Sequence, residues 1–425
     1  MHLLLGLLIV GLLGFLIYRA LGSAGGQGLV AQESAEAASL AARLDVAFVA
    51  DGKLFFRSAG SDVQQIHSAH AEEAMDRVER SRQRNDWKQN TSFGITAGGG
   101  MRNFGAADTP VAIVSALFDT QRRQLLYSQW DQTVGGLFAC TPNVPGEQRI
   151  LLKQQLHLDN LALSPDGERL CAASYKTDGV ANIVLMKRDG SELREVTGGD
   201  TVDTAPAWIP GAEHKLLFQS AGLARTSGGH VVAQGHASIQ MLDMQSGTIS
   251  PVLENPAFDF LRPRVSPDGN LLYIRRPYEQ PRYEAGNMLL DTLLLPFRLA
   301  RAVFHYLNFF SLMYSRKPLT SASGPEVRAD IKNIVLQGRR IDAEEALRKA
   351  HSVHGVPSLV PASWELVSRT RDGADTVLAQ GVASYDIDAQ GRVIYSNGRG
   401  VFALGGAGRS ALVFKSDLIA DVQLA

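Results

Sequence analysis

The sequence predicts an all-β chain, a six-bladed β-propeller closed by its C-terminal strand, and three observations carry that prediction. Ser164-Pro165-Asp166-Gly167 returns as Ser266-Pro267-Asp268-Gly269, each time between two short apolar runs. Degenerate copies of the same turn recur along the chain, each followed by a second hairpin. The spacing agrees: 44 residues separate Gly167 from Gly211 and 58 separate Gly211 from Gly269, against roughly 40–50 for a four-stranded blade.

The turn has a physical basis. Pro presets φ at the second position, Asp suits the third, and Gly accepts the positive φ that exits into the next strand. Leu161-Ala162-Leu163 and Arg264-Val265 read as strand ends before the turn. Arg169 to Ala173 and Leu271 to Ile274 read as buried strands after it. Ala207-Trp208-Ile209-Pro210-Gly211 leads likewise into Lys215 to Phe218, and Asp386 to Gly391 into Arg392 to Tyr395. Leu117 to Thr120 leads into Gln124 to Tyr127 through a longer turn. Second hairpins turn at Asp189-Gly190, Ser246-Gly247 and Asp372-Gly373.

Outer strands end near Ile66, Leu152, Val196, Leu253, Ala379 and Phe414, which makes six units. The first unit is incomplete. Val46 to Val49, Lys53 to Phe56 and Val63 to Ile66 supply its second, third and fourth strands. Leu418 to Leu424 follows the last outer strand and supplies the missing innermost one, which removes an open sheet edge. A β-sandwich with long loops is the competing reading.

These turns resemble the TolB-like propeller repeat of bacteria, with Asp203-Thr204-Ala205-Pro206-Ala207-Trp208 similar to that family's blade start. The resemblance covers residues 107–280 and 361–415, and 44–66 loosely. It implies a propeller and, for location, the bacterial envelope. Function does not follow from it, since one fold hosts many activities.

At 425 residues with a net charge of −1, the chain carries no overall field that points to nucleic acid. Cys140 and Cys171 fall in predicted strands of neighbouring blades and read as small buried thiols. Leu3 to Tyr18 is an uncharged apolar run. A helix of about 19 residues rises about 28 Å, enough for one bilayer crossing. Residues 1–21 therefore read as an uncleaved transmembrane anchor, since neither a basic leader nor a good small-x-small cleavage site accompanies the run. Arg19 favours a cytoplasmic propeller, whereas the family resemblance implies a periplasmic one. Residues 22–43 read as a flexible linker running into a short helix, and 44–425 as the propeller.

Two helical insertions interrupt it. In 67–106, Glu72 to Gln89 reads as an exposed helix with Glu73–Arg77 and Asp76–Arg80 at i,i+4. In 281–360, Met288 to Tyr314 reads as an amphipathic helix. Two readings of it stand: a membrane-interface helix carrying Arg298, Arg301, Leu307 and Phe310 with Arg316 and Lys317 beside it, or a helix packed on the propeller wall or on a second copy of itself. A helix pair follows, from Pro325 to Gly338 and from Asp342 to Gly355, as the expected partner-docking element.

No Gly-x-Ser-x-Gly elbow is present, and His67-x-x-His70 and His351-x-x-His354 lack a third metal ligand at motif spacing. His230 and His236 read as loop residues. No cofactor is implied. Residues at the connections into the innermost strands, Asp159, Asn160, Asp203, Asp259, Arg262 and Asp386, are candidates for an axial funnel mouth. They serve equally well as turn formers and caps. The preferred function is a membrane-anchored protein-interaction scaffold, and the alternative is an enzyme or small-ligand binder of the funnel.

Overall fold

The computed structural model describes residues 35–77, 80, 111–279, 333–337, 339–342 and 351–425. Two compact units divide the chain. Met1–Ala71, Val111–Tyr278 and Lys332–Ala425 form the first, Glu72–Pro110 and Glu279–Ile331 the second. The described part of the second unit includes residues 72–77, which are helical. There Arg77 Nε donates to the Glu73 carbonyl at 3.3 Å and Arg80 Nε to the Asp76 carbonyl at 3.1 Å, so backbone oxygens take the place of the expected carboxylate partners.

The first unit is built from four-stranded antiparallel sheets of propeller type. The first orders Ile419–Leu424, Val46–Ala50, Lys53–Arg57 and Gln64–Ile66. The second orders Ala112–Asp119, Gln124–Trp130, Val134–Cys140 and Glu147–Gln154. The third orders His157–Leu163, Arg169–Tyr175, Ala181–Lys187 and Arg194–Glu195. The fourth orders Thr201–Ile209, Ala212–Arg225, Ser238–Asp243 and Thr248–Leu253, and a single parallel bridge, Ala181 to Val202, joins it to the third. The fifth orders Phe258–Val265, Leu271–Pro277, Glu365–Arg369 and Asp375–Gln380. The sixth orders Ser384–Ile387, Val393–Ser396, Gly400–Leu404 and Ser410–Lys415.

The repeated turn forms as its residues dictate. Gly167 and Gly269 sit at φ 74 and 81, and their N–H groups donate to Ser164 and Ser266 carbonyls at 2.9 and 2.8 Å. Each serine hydroxyl then accepts a backbone N–H across the turn, from Arg169 at 2.9 Å and from Asn270 at 3.0 Å.

Middle strands are apolar on both faces because sheets flank them on both sides. Leu125 and Tyr127 pack toward the first sheet with Val49, Leu54 and Phe56, while Leu126 packs toward the third with Leu158 and Leu170. Further clusters fill the spaces between the third and fourth sheets around Trp208 and Phe218, and between the fourth and fifth around Phe260 and Tyr273. Tyr385 and Phe402 fill the space between the fifth and sixth. Between the sixth and first sheets, Ile394 and Val401 meet Phe48, Ile419 and Val422, together with Ala41 and Leu44 at the end of the helix over residues 35–43.

Two expectations are corrected. Strands stand where the described parts of the expected helix pair lie: Asn333–Leu336 pairs with Arg339–Asp342, and Ser352–Val353 with Val356–Pro357, while 325–332 and 343–350 lie outside the described residues. Ile334, Val335 and Ile341 are β-branched, and Gln337 turns at φ 48. His354 and Gly355 sit at φ 48 and 72, the left-handed pair of a two-residue hairpin. A glycine of positive φ marks a helix end and such a hairpin alike, and that ambiguity misled the helical reading. The glycine-rich stretch around His230 also holds a strand, Val231–Gln234, which pairs with the extended second strand of the fourth sheet. The anchor over 1–21 and the helix over 288–314 lie outside the described residues.

Deleting residues 418–425 removes Ile419, Val422 and Leu424, all buried. At about 1.5–3 kcal/mol for each aliphatic side chain, the loss is about 5 kcal/mol or more. The truncated chain is expected to melt well below the intact one and to self-associate through the bared Val46–Ala50 edge, read by calorimetry and size-exclusion chromatography.

Candidate functional site

Five of the six innermost strands carry one extra residue against their neighbour, and the sixth sheet has none. Such bulges re-aim side chains. In the third, fourth and fifth sheets a left-handed residue sits within the bulge: Asn160 at φ 50, Ala205 at φ 49 and Arg262 at φ 53. Each lies five residues before the proline of the following turn, Pro165, Pro210 or Pro267.

At this level a relay of hydrogen bonds links each sheet to the one before it. Ile113 N–H donates to the Gly52 carbonyl at 2.8 Å, and Leu161 N–H to the Ser115 hydroxyl at 3.0 Å. Ala205 N–H donates to Asn160 Oδ1 at 3.2 Å, and Arg262 N–H to Gln219 Oε1 at 2.9 Å. Tyr385 Oη donates to the Arg262 carbonyl at 2.6 Å, and Leu424 N–H to Asp386 Oδ2 at 2.9 Å.

Charge gathers at the same place. The buried Arg262 guanidinium pairs with Asp421 of the C-terminal strand, and Arg264 Nε lies 3.9 Å from Asp386 Oδ1. Burial opposes the charge on Arg262, but Asp421 and then Asp386 outweigh it and hold the guanidinium above its ordinary value. Burial pushes the Asp159 carboxyl up to about 6, with Asp421 adding to the rise and the Asn160 N–H and Arg262 opposing it. Burial likewise pushes Asp386 up to about 6, against Arg264 and the Leu424 N–H.

Of the six funnel candidates, Asp159, Asn160, Arg262 and Asp386 come together here. Asp203 and Asp259 do not. Asp203 accepts the Ser220 hydroxyl at 2.6 Å within the fourth sheet. Asp259 receives Arg276 Nε at 2.8 Å and the Ala237 N–H at 2.9 Å, a fastener between the fourth and fifth sheets. Sequence reasoning missed Asp421, Tyr385 and Arg264. Asp421 had a signal, since it lies inside the strand expected to complete the first unit. Arg298, Arg301, Leu307, Phe310, Arg316 and Lys317 lie outside the described residues. Both cysteines are buried and free, and burial pushes each thiol up to about 12. Among the described residues no three His, Cys, Asp or Glu side chains are grouped to hold a metal.

A carboxyl titrates at about 3.9 in an unfolded chain. With Asp386 at about 6 in the native state, the folded protein holds more protons than the unfolded chain between those values. Stability is therefore full below about pH 4 and falls as pH rises to about 6, by about 3 kcal/mol for this group. Asp386→Asn is expected to unfold at higher denaturant than the wild type at pH 8, with the difference shrinking below pH 4. Asp421→Asn strips Arg262 of its buried partner and is expected to cost about 3–5 kcal/mol at pH 7. Urea titrations of both variants at several pH values check the opposite signs.

A scan of family models finds no match, and neither does a search of curated proteins. Similar solved structures include TolB from Acinetobacter baumannii, at 12% identity and TM-score 0.47, covering 90% of this chain and 66% of that one. A protein from Agrobacterium tumefaciens described as TolB aligns at 11% identity and TM-score 0.40, over 73% of this chain and 83% of its own. The periplasmic gluconolactonase of Pseudomonas aeruginosa aligns at 11% identity and TM-score 0.41, over 90% and 99%. The architecture itself rests on the strand pairing above.

Proposed function

We propose that the chain is a TolB-like propeller of six blades, closed on its C-terminal strand, that acts as a protein-interaction scaffold of the bacterial envelope. Residues 1–21 tether it to the membrane, a reading that rests on the uncharged run Leu3 to Tyr18. Among the described residues no helix is long and apolar enough to cross a membrane.

One observation carries the scaffold reading. The charged side chains that an axial active site would need are committed to holding sheets together: Arg262 to Asp421, and Asp259 to Arg276. Groups held in buried ion pairs and inter-sheet hydrogen bonds position strands, and releasing them for chemistry would strand a charge at a cost of several kcal/mol. The outer strands, by contrast, present exposed apolar side chains to solvent, Ile249, Val252 and Val377 among them.

A second reading, an enzyme or ligand binder of the funnel, draws on Asp159 and Asp386, whose carboxyls at about 6 suit acid–base work near neutral pH. Cross-linking the intact chain in membranes, followed by affinity capture, is expected to recover a reproducible protein partner. Asp159→Asn and Asp386→Asn are expected to leave that capture unchanged. A thermal-shift screen with small metabolites that stabilises the wild type by several degrees, and neither Asn variant, would move the assignment to the funnel.

A further inference from the structure

Beside the inner-strand cluster, the second and third sheets line a groove of about 720 Å³ at the ends of their second strands. Three rings form its wall. Trp130 stacks on His157 with centroids 4.9 Å apart and planes 3° from parallel, and His157 meets Tyr175 at 5.0 Å. Gly135 makes the stack possible. A Cβ there would lie 1.5 Å from the Leu156 carbonyl oxygen, so only glycine lets the connection close onto the neighbouring strand and set His157 against Trp130.

The polar groups of the groove have a consistent character. The Trp130 indole N–H and the Tyr175 hydroxyl make no hydrogen bond to the described residues, and neither do the side-chain amides of Gln132 and Gln155. The rim residues Gln132 and Gln155 hold left-handed backbones, φ 73 and 56, and the Gln155 N–H donates to the Thr133 carbonyl at 2.7 Å. Formal charge cancels. Lys176 is paired with Glu195 at 2.9 Å, and Asp178 accepts the Val180 N–H at 3.2 Å and lies 3.9 Å from Arg225. Burial holds His157 below its ordinary value, so the ladder is neutral at pH 7.

We propose that this groove binds a proline-rich segment of a partner protein in the polyproline II conformation. The assignment rests on the scaffold reading and names the chemistry of one partner. Polyproline II makes no internal hydrogen bonds, so its carbonyls are free to accept from donors such as an indole N–H and a phenol. The two ring spacings place Trp130 and Tyr175 at most about 10 Å apart, and one polyproline II turn of three residues advances about 9 Å. A lining whose few charges are paired matches an uncharged backbone with proline rings.

The test uses the full-length chain in detergent and a fluorescently labelled decaproline, read by anisotropy. Saturable binding is expected, at least tenfold tighter than that of a Gly/Ser decapeptide and insensitive to salt. Trp130→Phe and Tyr175→Phe each keep a ring and remove one donor, so each is expected to weaken binding roughly three- to tenfold without moving the melting temperature. Absence of saturable binding up to millimolar peptide, equal affinity for the Gly/Ser peptide, or unchanged binding by both variants would overturn the assignment. So would saturable binding of chitotriose that decaproline does not displace. Partner capture by the wild-type chain without decaproline binding refutes the groove and leaves the scaffold standing. Decaproline binding with no captured partner does the reverse.

Discussion

The level at which Asn160, Ala205 and Arg262 turn left-handed is the constraint on which the rest of the molecule depends. Four-stranded sheets packed face to face could slide along one another, because aliphatic contacts such as Leu126 against Leu170 have little directional preference. The relay of N–H groups into Ser115, Asn160, Gln219 and Asp386 removes that freedom. It requires a bulge, since a regular strand would point these groups along its own ladder. The strain of a left-handed non-glycine residue is offset by the buried hydrogen bonds it permits.

The C-terminal strand depends on the same level. Asp421 receives Arg262 from the fifth sheet, and Leu424 N–H reaches Asp386 of the sixth, so a strand paired with Val46–Ala50 is also bonded to two further sheets. Gathering three carboxyls near two guanidiniums has an electrostatic cost, and it is visible in Asp159 and Asp386, both pushed up to about 6. Burial is the larger cause for each. Their role is therefore geometric more than stabilising, with specificity of assembly gained at some expense of stability at neutral pH.

The outward face has a different logic. Outer strands such as Glu147–Gln154 and Thr248–Leu253 are largely exposed and carry no share of the relay. The Trp130–His157–Tyr175 ladder stands between these regimes. Its inner end approaches the cluster closely enough for Asp159, after burial, to help push the Tyr175 phenol upward.

Turn residues and their spacing are local, and they were enough to read an all-β chain of repeated hairpins. Residues 333–336 and 352–355 were misread because a left-handed glycine ends helices and turns hairpins alike, and only pairing, such as Ile334 against Ile341 and Val353 against Val356, separates the two. The candidate site was legible in part: Asn160 and Arg262 sit at a fixed offset from the turn proline, while Asp203 and Asp259 share the residue type and not the register. Asp421, Tyr385 and the three-ring ladder were decided by tertiary structure alone. Their partners lie on other strands, up to 159 residues away, and no local pattern encodes which side chains the bulges and the sheet-to-sheet packing bring within bonding distance.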